Sequence, residues 1–508
     1  MTPHTSAPRD ACIITFMGSG PTANSAFVPD KLRTSQKAMC PMSTLSFRYR
    51  GKSLLALLSL AAASLLAAGC GGSTANMAAS GGVSGPSFVV GTDAPLASVS
   101  SFAVQINSID AINASGQSVS LISGTPTVDF ARFNGLQTLL DMNDVPVGTY
   151  TSVQISLGPA TIGYLNVQSG SAPTIGSMAA TLPSSPINIP LASPLIVTVA
   201  QPVGLHVDFD LRKSIQVDSS GQITGVVTPN FDVNAVGTGD SGAYIDEFDA
   251  AVVSVNTTAQ SFVVQGPHGR QFTINVTGST EWANNDSITQ LSTSSIVQIS
   301  GILDKVDATI DADEVAILSQ DGFRATGLVT YVTPATGTAT SFDLYVRGLL
   351  PTTTGLTLGQ IAQVNLTGTE NFFIYRWHTP LSQFLFNSSL LLPGQDVSIG
   401  GPASGASNPN AVSTKRVVLR HWGYNGTLVP NSLNLTNGTF QMQVTGFAGL
   451  LIPQKVTVYY FGGTAFRYGL TAASAVPAQI NLRVVGLLLK DPVSGQPVLL
   501  AHYVDALN

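Results

Sequence analysis

The sequence predicts an all-β protein, and three observations lead to this prediction. Only 10% of the 508 residues are charged and 44% are hydrophobic, whereas the exposed faces of helices need many Lys, Glu and Arg side chains. Apolar and polar residues alternate in short segments such as 102–107 and 153–157, as half-buried strands require. Turn residues separate these segments, and region 128–142 is predicted to hold a short helix at most.

The residues before the predicted strands indicate export from the cytoplasm. A basic segment, 48–52, is followed by the uncharged apolar segment 53–69, which ends in small residues directly before Cys70. This order is typical of a secretory signal peptide. We therefore predict a signal peptide over residues 42–69.

The cysteine that follows this signal resembles the lipobox cysteine of bacterial lipoproteins. The resemblance implies that the Cys70 thiol receives a diacylglycerol and that cleavage makes this residue the new N-terminus. Residues 70–85 are rich in Gly and Ser and are predicted to be a flexible tether. The alternatives are an ordinary cleaved signal and an uncleaved membrane anchor, for which about 17 apolar residues are short.

Residues 1–41 precede the signal and have no periodicity. We expect them to be a misassigned or disordered N-terminal extension, with Met42 as the true start. Cys12 and Cys40 then never exist in the cell. No cysteine follows Cys70, so a disulfide framework in the folded body is excluded.

Residues 86–236 resemble the bacterial domain of unknown function 4382. The motifs that carry the resemblance are TDAP at 92–95, VGTY at 147–150, and VDFD at 207–210 with Ser214 after it. They occur in the order that the family has. The resemblance implies an immunoglobulin-like or transthyretin-like β-sandwich, and it brings no established activity.

After a Gly-rich linker at 237–242, the chain repeats four elements in a constant order. These are a strand with Phe, a Thr-rich strand, a strand that ends in Gly and a closing apolar strand. Their order and their spacing of roughly 80–100 residues resemble the bacterial domain of unknown function 5666, with chance similarity among β-rich segments as the alternative. The repeats predict three small β-barrel-like domains, at 243–322, 323–421 and 422–508.

The sequence signals for catalytic and metal-binding residues are weak. We predict no catalytic residue, no metal and no cofactor. Residues 239–242 match the nucleophile segment of trypsin-like proteases only superficially, because no His stands in the required context. His206 and Asp208 share one face of a predicted strand, where a structural hydrogen bond is the favoured interpretation. The acidic residues between 304 and 314 are interpreted as solvated turn residues, because a calcium loop needs a Gly after Asp313.

An aromatic segment at 372–378 is the first place to look for a ligand. Exposed aromatic rings can stack on the apolar faces of sugars, and Phe373, Tyr375 and Trp377 are the candidates for such a surface. The alternative is ordinary packing in a core or at a domain interface.

The charge distribution bears on the kind of partner that the protein can bind. Residues after position 52 have a formal net charge of −11, which argues against nucleic-acid binding through a broad basic surface. We expect a lipid-anchored envelope protein, at the outer membrane because Gly71 follows the cysteine. It would be a non-enzymatic structural, adhesive or ligand-binding module whose partner is a glycan or an envelope protein. The alternative is a glycan-active or other hydrolase with a site between domains, which requires acidic or His side chains converging in a cleft.

Overall fold

The computed structural model describes residues 83–507 with short gaps. The gaps are residues 94–98, 167–170, 200, 220–221, 267–268, 305–308, 321, 352–353, 376–383, 409–410, 453–454, 478–479 and 492. The predicted N-terminal extension and signal peptide, Cys70 and Trp377 therefore lie outside the described residues, as does the predicted tether up to residue 82. The described residues belong to one unit of the chain, Ser73–Asn508.

Two sheets packed face to face form the N-terminal module, which we call the sandwich. One sheet has the strand order β12-β9-β1-β5, and the other has the order β3-β2-β6-β7, with β4 paired to β2 and β8 paired to β6. The strands of these sheets are β1 (Ser84–Asp93), β2 (Val99–Asn113), β3 (Ser118–Ser120), β4 (Thr127–Asp129), β5 (Thr138–Pro146), β6 (Gly148–Asn166), β7 (Thr174–Ala180), β8 (Ile187–Val197), β9 (Val203–Phe209) and β12 (Phe231–Gly237). Between β9 and β12, the strands β10 (Ile215–Val217) and β11 (Ile223–Val227) form a separate two-stranded sheet.

The sandwich core forms because alternate residues of each strand point to the same side. In β9, Leu205, Val207 and Phe209 are buried in this core. The Phe209 ring packs edge-on against the rings of Phe102 and Phe130, at centroid distances of 5.3 Å and 5.2 Å. These aromatic contacts connect the two sheets.

Three further sheets follow along the chain, and we call them the first, second and third barrels. The first contains β13 (Ile245–Asn256), β14 (Ser261–Gln265), β15 (Gln271–Asn275), β16 (Glu281–Trp282), β17 (Ile296–Leu303) and β18 (Ile310–Ser319). The second contains β19 (Gly322–Thr333), β20 (Ser341–Leu350), β21 (Ile361–Asn365), β22 (Asn371–Ile374), β23 (Asp396–Pro402), β24 (Ala411–Ser413) and β25 (Arg416–Leu419). The third contains β26 (Trp422–Leu428), β27 (Thr439–Val444), β28 (Lys455–Tyr459), β29 (Ala465–Arg467), β30 (Asn481–Lys490) and β31 (Pro497–Leu507).

The barrels share one strand order. The first runs β15-β14-β13-β17-β18-β16 and the third runs β28-β27-β26-β30-β31-β29, and each closes through a parallel pairing, β15 with β18 and β28 with β31. In the second barrel two short strands, β24 and β25, take the place of a single closing strand, and β24 pairs with β21. The predicted all-β fold class is confirmed.

Helical segments are few and short among the described residues. They are α1 (Leu211–Ser214), α2 (Gly446–Leu451) and the 3-10 segments Phe130–Phe133, Ser241–Ala243, Ala283–Asn285, Ile288–Gln290, Ser388–Leu390, Ala403–Ala406 and Ala473–Ala475. The short helix expected within 128–142 is the first of these 3-10 segments. No helix in the described part of the chain is long and apolar enough to cross a membrane.

One turn differs from the sequence pattern. The dipeptide Asn437-Gly438 is typical of a two-residue hairpin turn in which both residues have positive φ. In the structure, Asn434 and Thr439 exchange backbone hydrogen bonds of 2.7 Å and 3.1 Å, so four residues lie between them. Gly438 has a φ of +63°, and Asn437 instead donates its backbone N–H to the Asn434 side chain at 3.0 Å.

In each sequence repeat one strand ends in a glycine. In two barrels the structure shows why a larger residue would not fit at this position. A Cβ atom on Gly301 would lie 2.1 Å from the carbonyl oxygen of Asp311, and one on Gly486 would lie 2.0 Å from the carbonyl oxygen of Leu500. The pairing register with the closing strand shifts directly before each glycine. Such a bulge brings two backbones too close for any side chain.

Replacing Gly486 with Ala is expected to lower the free energy of unfolding by about 1–3 kcal/mol, because the added methyl group overlaps a backbone carbonyl. Gly278→Ala is the matched control, since nothing lies within 4 Å of its Cβ position. Its stability should stay within about 0.5 kcal/mol of the wild type. Urea unfolding followed by circular dichroism measures both, and equal midpoints would contradict the close approach.

Candidate functional site: a buried charged junction

The structure places two of the predicted ligand-binding aromatic residues in the interior. Phe373 lies on β22 with the guanidinium of Arg416 5.7 Å from its ring centroid. Tyr375 is almost fully buried, and its hydroxyl shares a hydrogen bond with that of Ser300 in the first barrel. These positions correspond to the packing alternative. Sugar stacking by Trp377, which is not among the described residues, stays a prediction.

The interpretation of the acidic residues between 304 and 314 as solvated turn residues is wrong for Asp311, Asp313 and Glu314, which lie on strand β18, where Glu314 is fully buried. Asp311 accepts a hydrogen bond from the Asn275 amide at 3.0 Å, and Asp313 accepts one from the Tyr244 hydroxyl at 3.1 Å. Asp307 lies outside the described residues. Within the described part of the chain, no group of three or more His, Cys, Asp or Glu side chains is arranged to hold a metal ion.

His206 and Asp208 lie on the same face of β9, as predicted. This face is opposite to the sandwich core, because the residues that alternate with them are the buried ones. Burial raises the pKa of Asp208 to about 6 and lowers the pKa of His206.

A buried cluster of charged residues joins the sandwich to the first two barrels. Its carboxylates, Glu247 and Asp249, are on β13 of the first barrel. Arg420 of the second barrel lies 2.6 Å from Glu247, and Arg132 of the sandwich lies 3.0 Å from Asp249. Arg324 on β19 forms a second close ion pair with Asp249. We call this cluster the charged junction.

The 3-10 segment that contains Arg132 directs its side chain toward the barrels. In the 3-10 segment Phe130–Phe133, side chains three residues apart eclipse one another. Phe130 and Phe133 are therefore on one side of the turn and are buried in the sandwich core. Arg132 points away from this core, toward the carboxylates of β13.

Burial and the several arginines around the carboxylates together set the pKa values of the groups in the charged junction. Burial alone would raise the pKa of Asp249, but the guanidinium groups around it outweigh this effect and hold the pKa below its ordinary value. Burial lowers the pKa of Arg324 to about 10, so this side chain stays charged at neutral pH. Asp396 lies 3.9 Å from Arg420, and burial nevertheless raises its pKa to about 7.

Backbone contacts reinforce the ion pairs along residues 130–138, which we call the junction segment. The Gln137 backbone N–H donates to the Asp246 carboxylate at 2.7 Å, and the Gln137 carbonyl accepts from the Asp246 backbone N–H at 3.0 Å. The carbonyl of Ala131 accepts a hydrogen bond from the Arg347 guanidinium of the second barrel.

The junction segment also contacts the third barrel. The Asn134 side-chain amide donates to the carbonyl of Gly423 at 2.6 Å, and the Trp422 indole N–H donates to the carbonyl of Arg132 at 3.3 Å. Gly135 has a φ of +76°, and a Cβ atom there would overlap an arginine side chain of the third barrel. One short segment of the sandwich therefore contacts all three barrels.

A second ionic group lies inside the third barrel, next to the junction segment. Asp505 is fully buried and lies 2.8 Å from Arg467 and 2.9 Å from Arg483. Burial would raise the pKa of Asp505, but the two guanidinium groups outweigh it and lower the pKa. The Arg467 guanidinium stacks on the Tyr503 ring at 3.7 Å from its centroid.

This arrangement can fix the orientation of the modules, and it offers little to a substrate. The carboxylates of the charged junction are almost completely buried and paired with arginines, so solvent does not reach them. Sequence reasoning missed the cluster. The signal that could have found it is an arginine inside an apolar strand, as at Arg324 and Arg347, because a charged residue rarely occupies such a position unpaired.

A shallow groove on the surface of the third barrel is the other candidate site. Hydroxyl and amide side chains line much of it, including those of Ser432, Asn434, Gln441 and Thr457. None of the described residues that line this groove is charged. Its chemistry suits a neutral polar ligand better than an ion.

The comparisons with known proteins agree with part of the sequence analysis. Residues 89–265 match the family described as Domain of unknown function (DUF4382), which confirms the resemblance predicted for the N-terminal domain. The match extends past residue 236 into β14, so it includes both Arg132 and its partners on β13. No match was found among curated proteins.

Removing one charge from the junction is expected to be costly. Asp249→Asn should lower the free energy of unfolding by about 3–5 kcal/mol, because it leaves buried guanidinium groups without their counter-charge. The control is Lys213→Gln, which removes a 63% exposed ammonium group that lies 2.7 Å from Asp210 and should cost at most about 1 kcal/mol. Denaturant unfolding measures both, and similar losses would show that the junction is not desolvated.

Asp246 is expected to give the protein a distinct pH dependence. Burial raises its pKa to about 8, so between about pH 4 and pH 8 the folded state holds a proton that the unfolded state has lost. Its contribution to stability therefore falls as pH rises through this window. Asp246→Asn removes this effect, and its stability relative to wild type should increase by about 1 kcal/mol per pH unit. Unfolding free energies that run parallel across the window would contradict the raised pKa.

Proposed function

We propose that the protein is a lipoprotein of the bacterial cell envelope, anchored by a lipid on Cys70. The observation that carries this proposal is the order of a basic segment, an uncharged apolar segment and small residues directly before the cysteine. The absence of any later cysteine supports it, because Cys70 then has no disulfide role in the mature chain. Gly71 after the cysteine favours the outer membrane.

The body beyond the anchor acts as a non-enzymatic structural, adhesive or ligand-binding module. Three features support this. The acidic residues at the charged junction are paired and closed to solvent. The family that matches residues 89–265 has no known activity. The barrels share one strand order, which favours the resemblance to the domain of unknown function 5666. The uncharged groove of the third barrel is the candidate surface for a glycan or an envelope protein.

Replacing Cys70 with Ala is expected to abolish lipid attachment and to release the protein from the membrane fraction. The acceptor thiol is lost, and a signal peptidase that requires the lipidated cysteine no longer cleaves. Labelled palmitate incorporation and the mobility of the precursor measure both effects in cells. Ser73→Ala, in the predicted tether close to the cysteine, is the matched control and should change neither.

Two outcomes would contradict the proposal. If Cys70→Ala leaves processing and membrane partitioning unchanged, the protein is not a lipoprotein. If the mature protein releases soluble products from purified envelope polysaccharides, the non-enzymatic role is wrong and the hydrolase alternative holds.

A further inference from the structure

One part of the sandwich contains no side chain that is charged at neutral pH, apart from what a single histidine can contribute. Residues 145–207 include no Asp, Glu, Lys or Arg, and they form β6, β7, β8 and most of β9. Soluble surfaces normally intersperse charges of both signs. The charged residue directly before this stretch, Asp144, interacts electrostatically with Arg270 of the first barrel.

Exposed aliphatic side chains gather at one end of this uncharged region. Val83, Val147, Ile196 and Val199 are 66%, 47%, 56% and 59% exposed. The backbone N–H of Val147 donates to the carbonyl of Val83 at 2.8 Å. On β6 and β8, Thr149 lies opposite Ile196. We call these four aliphatic residues the apolar end.

Strand alternation explains why these side chains are outside. Tyr150 on β6 and Leu195 and Val197 on β8 are buried in the sandwich core. Their neighbours Ile196 and Thr149 therefore point to the outer face of the sheet. Aliphatic residues are common singly on protein surfaces, whereas a group of them marks an interaction site.

The apolar end lies far from the charged junction. On the paired strands β1 and β5, Ser84 is opposite Pro146 at one end and Gly91 is opposite Thr138 at the other. The junction segment ends at Thr138, so seven strand residues, about 23 Å, separate the two regions. The apolar end is therefore at the opposite end of these strands from the charged junction, although the first barrel also reaches β5 at Asn143, which accepts a hydrogen bond from Arg270 at 2.8 Å.

The apolar end is also where the chain from Cys70 enters the sandwich. Residues 71–82 separate Cys70 from Val83, so the lipid can be at most about 45 Å away. A flexible Gly-rich chain of this length has a typical end-to-end distance of about 20 Å. If residues 71–82 form the predicted tether, they hold the apolar end at a high local concentration near any bilayer that contains the lipid.

We propose that the apolar end rests on the phospholipid bilayer and orients the body with the charged junction away from the membrane. This inference builds on the proposed lipid anchor. Aliphatic side chains enter the boundary between headgroups and acyl chains. Because residues 145–207 include no Lys or Arg, we expect the contact not to depend on anionic lipids.

The test uses the lipidated protein with a single added cysteine that carries an environment-sensitive fluorophore. The variants are Val199→Cys at the apolar end and Val493→Cys, a 95% exposed position in the third barrel. Each is reconstituted into phosphatidylcholine vesicles with and without brominated phosphatidylcholine. We expect the brominated lipid to quench roughly half of the emission at position 199 and to leave position 493 unchanged. Replacing part of the lipid with phosphatidylglycerol should not alter the result.

A charge at the apolar end provides a second measurement. Ile196→Asp, at an exposed position, should abolish the quenching at position 199 while the protein still floats with vesicles. Leu358→Asp, at a 52% exposed position of the second barrel, should leave the quenching unchanged.

The outcomes separate the two proposals. Flotation with equal quenching at positions 199 and 493 would overturn the membrane contact and leave the anchor intact. Shielding of position 199 that appears only when other envelope proteins are added would identify a protein partner and would also overturn it. Failure of the wild-type protein to acquire lipid on Cys70 would remove both proposals.

Discussion

The architecture depends on the ion pairs that Glu247 and Asp249 form with arginines of two other modules. Both carboxylates are on β13, the first strand of the first barrel, yet their counter-charges come from the sandwich and from the second barrel. Transfer of these charges out of water is unfavourable unless all the partners are in place. The ion pairs therefore do little for total stability by comparison with an apolar core, and they specify one relative orientation of the modules.

The strand content and several local features could be predicted from the sequence because they depend on neighbouring residues. Period-2 alternation and turn residues are local signals, and they indicated the all-β fold. The glycines at 301 and 486 were visible as a repeated pattern, and the structure supplies their reason as backbone contacts. The dipeptide Asn437-Gly438 indicates a two-residue turn, whereas the hydrogen-bonded pair Asn434 and Thr439 encloses a loop of four residues.

The charged junction could not be predicted with the same methods. Arg132, Glu247 and Arg420 are more than 100 residues apart in sequence, and each looks like a solvated residue in its own segment. Only the topology of three modules brings them together. The environment of the aromatic segment could not be predicted from the sequence either. Phe373 and Tyr375 have the same sequence pattern whether they face a ligand or a neighbouring barrel. Their burial follows from the contact between β22 and the first barrel, which no local periodicity specifies.

The charged residues of the junction are far apart in the sequence, and this separation determines the order in which the modules can dock during folding. Synthesis from the N-terminus delivers β13 well before Arg420, which follows Glu247 by more than 170 residues. The first barrel can close on its own strand β18, but its carboxylates must remain hydrated until the second barrel arrives. Docking is therefore a late step that expels water from an acidic surface. Until then the emerging intermediate carries this acidic surface toward solvent, where like charges discourage premature association between incomplete chains.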